Sequence, residues 1–291
     1  MVTGVLIVDK ARGPTSFDVV AEVRRRFSER RVGHTGTLDP LATGVLPICL
    51  GEATKLVPFL VDGKKRYVAD VCFGVSTDTL DAAGKVTATV DASHLTEAAV
   101  LAALPAFVGS LLQIPPAHSA IRQNGERAYD LARRGEIVDL PARPVEIYAI
   151  RLDAWLPDTV TARLTIDCGK GTYIRSLARD LGEALGLPAH LVGLRRTLVS
   201  PFGIEEAVPV DQLSADTPLI GLAAALRHLP SLQLDESDAK AVRDGKSRHI
   251  AALPTPPDAL RVTFLRPDGG LLAVASRPEP GGILRLDRVF G

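Results

Sequence analysis

The chain has 291 residues, enough for one large domain or two ordinary ones, and either can bury a sizeable core. Its 34 Lys+Arg balance 34 Asp+Glu, 46% of residues are hydrophobic, and 25 Gly and 21 Pro are scattered along the chain. These values exclude general disorder, a collagen-like repeat and a protein that holds nucleic acid through bulk charge alone. Local charge is uneven: residues 1–66 carry 11 basic and 7 acidic groups, residues 67–119 carry 1 and 5, and residues 201–291 carry 10 and 12. No run approaches the roughly 18–20 apolar residues of a membrane span, and the N-terminus reaches Asp9 and Lys10 too soon for a signal-peptide core. Cys49, Cys72 and Cys168 are odd in number and far apart, which predicts buried thiols in a reducing cytoplasm. The six histidines lack metal-ligand spacing, so no metal site is expected.

In chain order, residues 4–8 (Gly-Val-Leu-Ile-Val) predict a short strand. Thr15 and Asp18 offer a helix cap, and Val19, Val20, Val23 and Phe27 give the helix its apolar face. That helix ends in Arg24, Arg25 and Arg26, with Arg30 and Arg31 just beyond. Cations complement a helix C-terminus, so the cluster reads either as a solvated helix end or as a phosphate-contacting surface. A Gly-rich turn at 32–44 leads into the apolar run 44–50, and Tyr67, Ala69, Val71, Phe73 and Val75 alternate as a strand. Residues 96–108 predict a helix, 113–126 a loop and 127–134 a short helix, with 113–134 a second candidate RNA-facing segment. Two strands joined at Pro157-Asp158 fill 145–168, and a helix spans 172–185, closed by Gly186 and Pro188. The fold class expected is α+β on a mixed, mainly antiparallel sheet.

A short Ala/Leu helix is expected at 219–229, followed by a small β-rich module with turns at Asp244-Gly245, Asp268-Gly269-Gly270 and Pro280-Gly281-Gly282. The boundary falls near 229, giving a domain of residues 1–228 and a module of 229–291.

The densest unusual segment is Gly33-His34-Thr35-Gly36-Thr37-Leu38-Asp39-Pro40-Leu41-Ala42-Thr43-Gly44. Pro40 biases Asp39 toward an extended backbone, so its carboxylate projects from a stiffened loop, although Asp-Pro and Gly pairs are also ordinary turn punctuation. In Gly169-Lys170-Gly171-Thr172-Tyr173-Ile174-Arg175-Ser176 a cation occupies the first helical turn, where the dipole disfavours it. Arg175 therefore calls for a fixed anionic partner. Pairing with Asp39 would hold that carboxylate ionised and oriented, the state a nucleophile needs.

With Lys10-x-x-Gly13-x-Thr15-Ser16, Lys65-Arg66-Tyr67, Gly171 through Gly182 and Leu194-Arg195-Arg196, these segments resemble, in order across residues 4–200, the bacterial tRNA pseudouridine-55 synthase family. Position 11 is Ala where that family usually has Pro. The resemblance implies an α+β pseudouridine synthase domain with a PUA-like C-terminal RNA-binding module. It also implies a cofactor-free, metal-free isomerase that detaches uracil from ribose, rotates it and rejoins it through carbon 5. It makes Asp39, Tyr67 and Arg175 catalytic, and Lys10, His34, Tyr67, Tyr173 and Leu194 substrate-binding. The implied partner is the T-stem-loop of tRNA, with the enzyme a cytoplasmic monomer needing no obligatory protein partner. Asp39 could attack the sugar carbon, attack carbon 6 of the base, or deprotonate the sugar to a glycal. Without the resemblance, the alternating pattern favours reading Tyr67 as a core-facing strand aromatic. The competing readings are a synthase of the same family acting on another RNA, a tRNA-binding or folding factor, and a glycosidase, the last lacking a second distinctive carboxylate.

Overall fold

The computed structural model describes residues 2–290 apart from 120, 124, 125 and 137. Its main sheet has ten strands among the described residues. Edge to edge it runs Val208–Pro209, Gly4–Lys10, Thr43–Leu50, Ala189–Val199, Lys65–Phe73, Thr161–Cys168, Arg143–Leu156 and Gly109–Gln113. Val32–His34 adds to Thr43–Leu50, and Phe202–Gly203 adds to Ala189–Val199. Pairing is antiparallel except where Gly4–Lys10 meets Val208–Pro209 and where Thr43–Leu50 meets Ala189–Val199. This is the mixed, mainly antiparallel α+β sheet expected.

Both faces of the sheet's first half are buried, which explains why residues 4–8 and 44–50 are unbroken apolar runs instead of alternating ones. Leu6, Val8, Leu46, Ile48 and Leu50 pack with Val19, Val20, Val23 and Phe27 of helix Ser16–Phe27 and with Leu177, Ala178 and Leu181 of helix Ile174–Ala184. Val5, Ile7, Val45 and Cys49 face the opposite way, toward Leu271, Val274 and Phe290 of the C-terminal sheet. Thr15 caps the first helix with a reciprocal bond to Asp18, as the sequence predicts.

The C-terminal sheet orders Ser231–Gln233, Arg261–Leu265, Leu271–Ser276 and Arg285–Val289. Helices Glu236–Arg243 and Ser247–Ala252 cover it, closing a core of Leu234, Val242, Ile250, Val262, Phe264 and Leu272. The tail is therefore not purely β-rich, and Asp244-Gly245 turns between two helices, with Gly245 at φ +68°. The helix expected at 219–229 is confined to Leu222–Ala225. The helix expected at 96–108 stops at Ala103, before a 3-10 turn at Leu104–Phe107 containing Pro105. No helix among the described residues is long and apolar enough to cross a membrane.

Candidate active site

The loop bearing Asp39 is fastened from several directions. Ser16 Oγ accepts from the Leu38 N–H at 2.8 Å and donates to its carbonyl at 3.0 Å. Gly13 N–H donates to the Pro40 carbonyl at 2.8 Å, and Ala42 N–H to the Asp39 carbonyl at 3.0 Å. Lys10, fully buried, gives its ammonium to the carbonyls of Ala11 (2.9 Å) and Pro40 (3.5 Å). Gly44 closes the loop at φ +102°, where a Cβ would lie 2.1 Å from the Arg196 carbonyl oxygen, so only glycine fits.

Arg175 and Asp39 meet. Arg175 Nε donates to Asp39 Oδ2 at 2.9 Å, Nη1 to the Thr79 carbonyl at 2.9 Å and Nη2 to the His118 carbonyl at 2.9 Å, while Asp81 Oδ2 lies 3.9 Å from Nε. The Arg175 side chain is 6% exposed and that of Asp39 37%, so a buried fork holds a carboxylate that still reaches solvent. The start of the Arg175 helix is fixed without a side-chain cap of its own: Gln113 donates to the Tyr173 carbonyl and accepts from its N–H, at 3.1 and 2.8 Å.

Beside the ion pair opens a pocket of about 290 Å³ whose walls include Asp39, Tyr67, Tyr173, Arg175 and Leu194. Five of the sequence-predicted residues thus come from four separate segments to one cavity. Tyr67 stands on strand Lys65–Phe73 and is 7% exposed; the phenol is held above its ordinary range mainly by burial, with Arg196 beside it pulling the other way. Burial also raises the Tyr173 phenol. A second cavity of about 710 Å³, walled in part by Thr79, Asp81 and His118, lies on the far side of the same ion pair.

Lys10 and His34 do not line the smaller pocket. Lys10 sits behind the loop, and burial lowers its ammonium to about 8, opposed by the nearby Asp39. His34 Nδ1 accepts from the Gly36 N–H at 3.2 Å, its ring meets Phe17 edge-on at 5.6 Å, and burial lowers its pKa. The wall also holds polar residues to which the sequence reading gave no site role, among them Arg196, Lys65 and Thr35. Arg196 is 1% exposed and donates to the carbonyls of Val45 (2.8 Å), Gly36 (3.1 Å) and Thr37 (3.4 Å). Its sequence signal was the Leu194-Arg195-Arg196 motif, which carried no role for it because the pattern did not reveal its strand, Ala189–Val199.

The arginine cluster is heterogeneous. Arg25 and Arg26 both pair with Glu22, Arg26 also bonds the carbonyls of Asp211 and Leu213, and Arg31 pairs with Glu52 at 3.0 Å. Arg24 donates to the Val32 carbonyl at 3.0 Å. Arg24, Arg25, Arg30 and Arg31 are exposed, and Arg26 is half-buried. In the 113–134 segment, residues 120, 124 and 125 lie outside the described residues. Among the described residues no group of three or more His, Cys, Asp or Glu could hold a metal ion.

Residues 24–174 match the N-terminal domain of the TruB family of pseudouridylate synthases, and residues 175–227 match the tRNA pseudouridylate synthase B C-terminal domain. The chain belongs to the TruB family. It is 46% identical over 286 residues to the tRNA pseudouridine synthase B of Bradyrhizobium diazoefficiens, covering 94% of this chain and 82% of that protein. It is 42% identical over 299 residues to the same-named protein of an Arthrobacter species, covering 100% and 97%. A chain in the crystal structure of a Cbf5-Nop10-Gar1 complex superposes with a TM-score of 0.74 at 25% identity, covering 99% of this chain and 85% of that one. In this TruB-family chain the Asp39–Arg175 pair joins the two matched segments, since the second begins at Arg175 itself.

Proposed function

We propose that this TruB-family enzyme converts uridine 55 in the T-loop of tRNA to pseudouridine, with Asp39 as the reacting carboxylate. The observation that carries this reading is an Asp39 carboxylate clamped by buried Arg175 at a pocket walled by Tyr67, Tyr173 and Leu194, in a chain of this family. Arg175 engages Oδ2 and aims the carboxylate, leaving Oδ1 for the substrate. The target uridine lies within a folded loop and must be extruded, at a cost of about a few kcal/mol. Apolar and aromatic walls repay that cost by stacking on the flipped base. Tyr67, a wall of that pocket, is the stacking residue and the acceptor of the carbon-5 proton in this reading; because burial keeps the phenol protonated, it must pass its own proton on as it accepts one. Lys10 and His34 serve the substrate from behind the loop and at its rim.

Residues 1–228 form the catalytic domain in this reading and 229–291 a PUA-like RNA-binding module, acting as a monomer on tRNA in the cytoplasm without an obligatory protein partner. The test is tritium release from a tRNA transcript labelled at uracil carbon 5, with wild type, Asp39→Asn, and a transcript lacking the T-loop uridine. Release by wild type alone, lost with that uridine, is expected, while Asp39→Asn binds tRNA without turnover. Release that survives loss of the T-loop uridine points to another target uridine, and tight binding without release points to a tRNA-folding factor.

A further inference from the structure

Two buried cations wall the base pocket and a third lies behind the Asp39 loop, and none of the three has a carboxylate within ion-pair distance among the described residues. Arg196 is 1% exposed, Lys65 7% and Lys10 fully buried. Backbone carbonyls hold all three: Gly36, Thr37 and Val45 for Arg196, Val61 and Gly63 for Lys65 at 3.0 and 3.1 Å, and Ala11 and Pro40 for Lys10. Arg196 and Lys65 are pocket walls, and the Arg196 guanidinium also reaches the Tyr67 phenol. Asp39, the one carboxylate on the pocket among the described residues, is already matched by Arg175. Burying an unpaired cation costs several kcal/mol per ion, and carbonyl dipoles return only part of it. Lys10 and Lys65 both show this strain, their ammonium groups being lowered mainly by burial. An unneutralised positive field around a cavity is the arrangement that stabilises an anion formed inside it.

We propose that Arg196 and Lys65, backed by Lys10, hold the uracil anion that exists between detachment and reattachment of the base. This rests on the isomerase reading and deepens it. If Asp39 Oδ1 bonds to carbon 1′ of the ribose, the carbon 1′–N1 bond breaks and its electron pair leaves on N1, giving an anion spread over N1 and the two ring carbonyl oxygens. The base turns within the pocket, carbon 5 bonds to carbon 1′, and Asp39 departs as carboxylate. Carbon 5 then loses its proton and N1 gains one, so charge and atoms balance. The field lowers the barrier to heterolysis and keeps the detached base in place, because an anion ringed by fixed charges does not escape as neutral uracil would.

The experiment compares Arg196→Gln with Arg196→Lys on transcripts carrying either uridine or 5-fluorouridine at the target position, following rearrangement of the base in single turnovers. Fluorine makes the leaving base a weaker base, so it substitutes for part of the missing charge. Arg196→Gln is expected to slow uridine by about 100-fold, as for loss of one charge-stabilising donor, and to slow 5-fluorouridine distinctly less. Arg196→Lys is expected to fall between Arg196→Gln and wild type, with tRNA affinity near wild type throughout. An equal loss on both bases, or none, overturns the proposal. Lys65→Gln provides a second variant on a different strand position. A folding-independent arm uses wild type at pH 7, below the lowered Lys10 pKa of about 8: free 5-fluorouracil, the more acidic base, is expected to compete with tRNA better than free uracil, and equal or absent competition counts against the proposal. Failure of wild type to release tritium from tRNA would refute the isomerase reading instead, so the two failures are distinguishable.

Discussion

Two helix ends in this molecule are rich in arginine, and their chemistry is opposite. At the C-terminus of Ser16–Phe27 the dipole welcomes cations, and Arg25 lies on the surface, 71% exposed, sharing Glu22 with Arg26. At the N-terminus of Ile174–Ala184 the dipole opposes a cation, yet Arg175 is buried there and its fork is filled by one carboxylate and two carbonyls. The first set obeys local rules and needs no further reason to exist. The second breaks a local rule, and the compensation is tertiary: Asp39, 136 positions away in the chain. A residue that violates the preference of its own helix is the better guide to chemistry than a cluster that satisfies it.

The sharpest way to break this contrast is Arg175→Lys. A single ammonium cannot reach Asp39, Thr79 and His118 together. We expect single-turnover tritium release to fall by about 100- to 1,000-fold, while tRNA binding by filter retention changes little. Near-normal turnover would show that the pair does not orient the nucleophile. Gly44→Ala attacks the same framework through the backbone. Its Cβ would strike the Arg196 carbonyl at a φ that L residues avoid, so stability should drop by about 3 kcal/mol or more, read as a lowered urea midpoint. An unchanged midpoint would mean the loop shifts freely.

The same contrast explains how much was legible in the sequence. The capped first helix, the alternating Tyr67 strand and the Arg175 helix with its inward Leu177, Ala178 and Leu181 are local patterns that formed where their periodicity put them, except that the strand ends at Phe73 and Val75, beyond Gly74 at φ +93°, belongs to a separate strand. The Asp39–Arg175 pairing was readable because Arg175 needed an anion. Arg196 was not. It lies on strand Ala189–Val199, whose burial is irregular because two register shifts interrupt its pairing with Lys65–Phe73, so no clean period of two survives. Its buried role also depends on carbonyls from the 36–45 loop, a contact that no spacing encodes. The burial of Lys10 was hidden for the related reason that a lysine at a strand end reads as surface until a loop is laid over it. In the tail, Asp244-Gly245 marks a turn without saying which elements it joins, which is how two helices passed as part of a β-rich module.

A pH titration tests the buried side of the comparison. Lys10 has a folded pKa of about 8, below its ordinary 10.5, so between those values the unfolded chain binds more protons than the folded one. Stability from this group is therefore reduced below pH 8 and recovers as pH rises toward 10.5. Lys65 shifts in the same direction. Wild type should thus gain denaturant stability between pH 8 and 10 relative to Lys10→Met, in which the Lys10 contribution is removed. Parallel profiles would mean that Lys10 titrates as a solvated amine.

The smallest effect belongs to the exposed cluster. Replacing Arg24, Arg25 and Arg30 with Ala spares the contacts of Arg26 and Arg31 to Leu213 and Glu52 and removes one tie of the helix end to the sheet, the Arg24 bond to the Val32 carbonyl. Because Arg25 is exposed and pairs within its own helix, the stability change should stay within about 1 kcal/mol. If these side chains face tRNA phosphates, the slope of log affinity against log salt should shrink by about 0.7–0.9 per contact removed. Catalysis on bound tRNA should not change, since none of the three lines the pocket. An unaltered salt slope would leave Arg24, Arg25 and Arg30 as what the helix dipole alone accounts for, a charged and solvated end, and would move the search for the phosphate-binding face elsewhere on the surface.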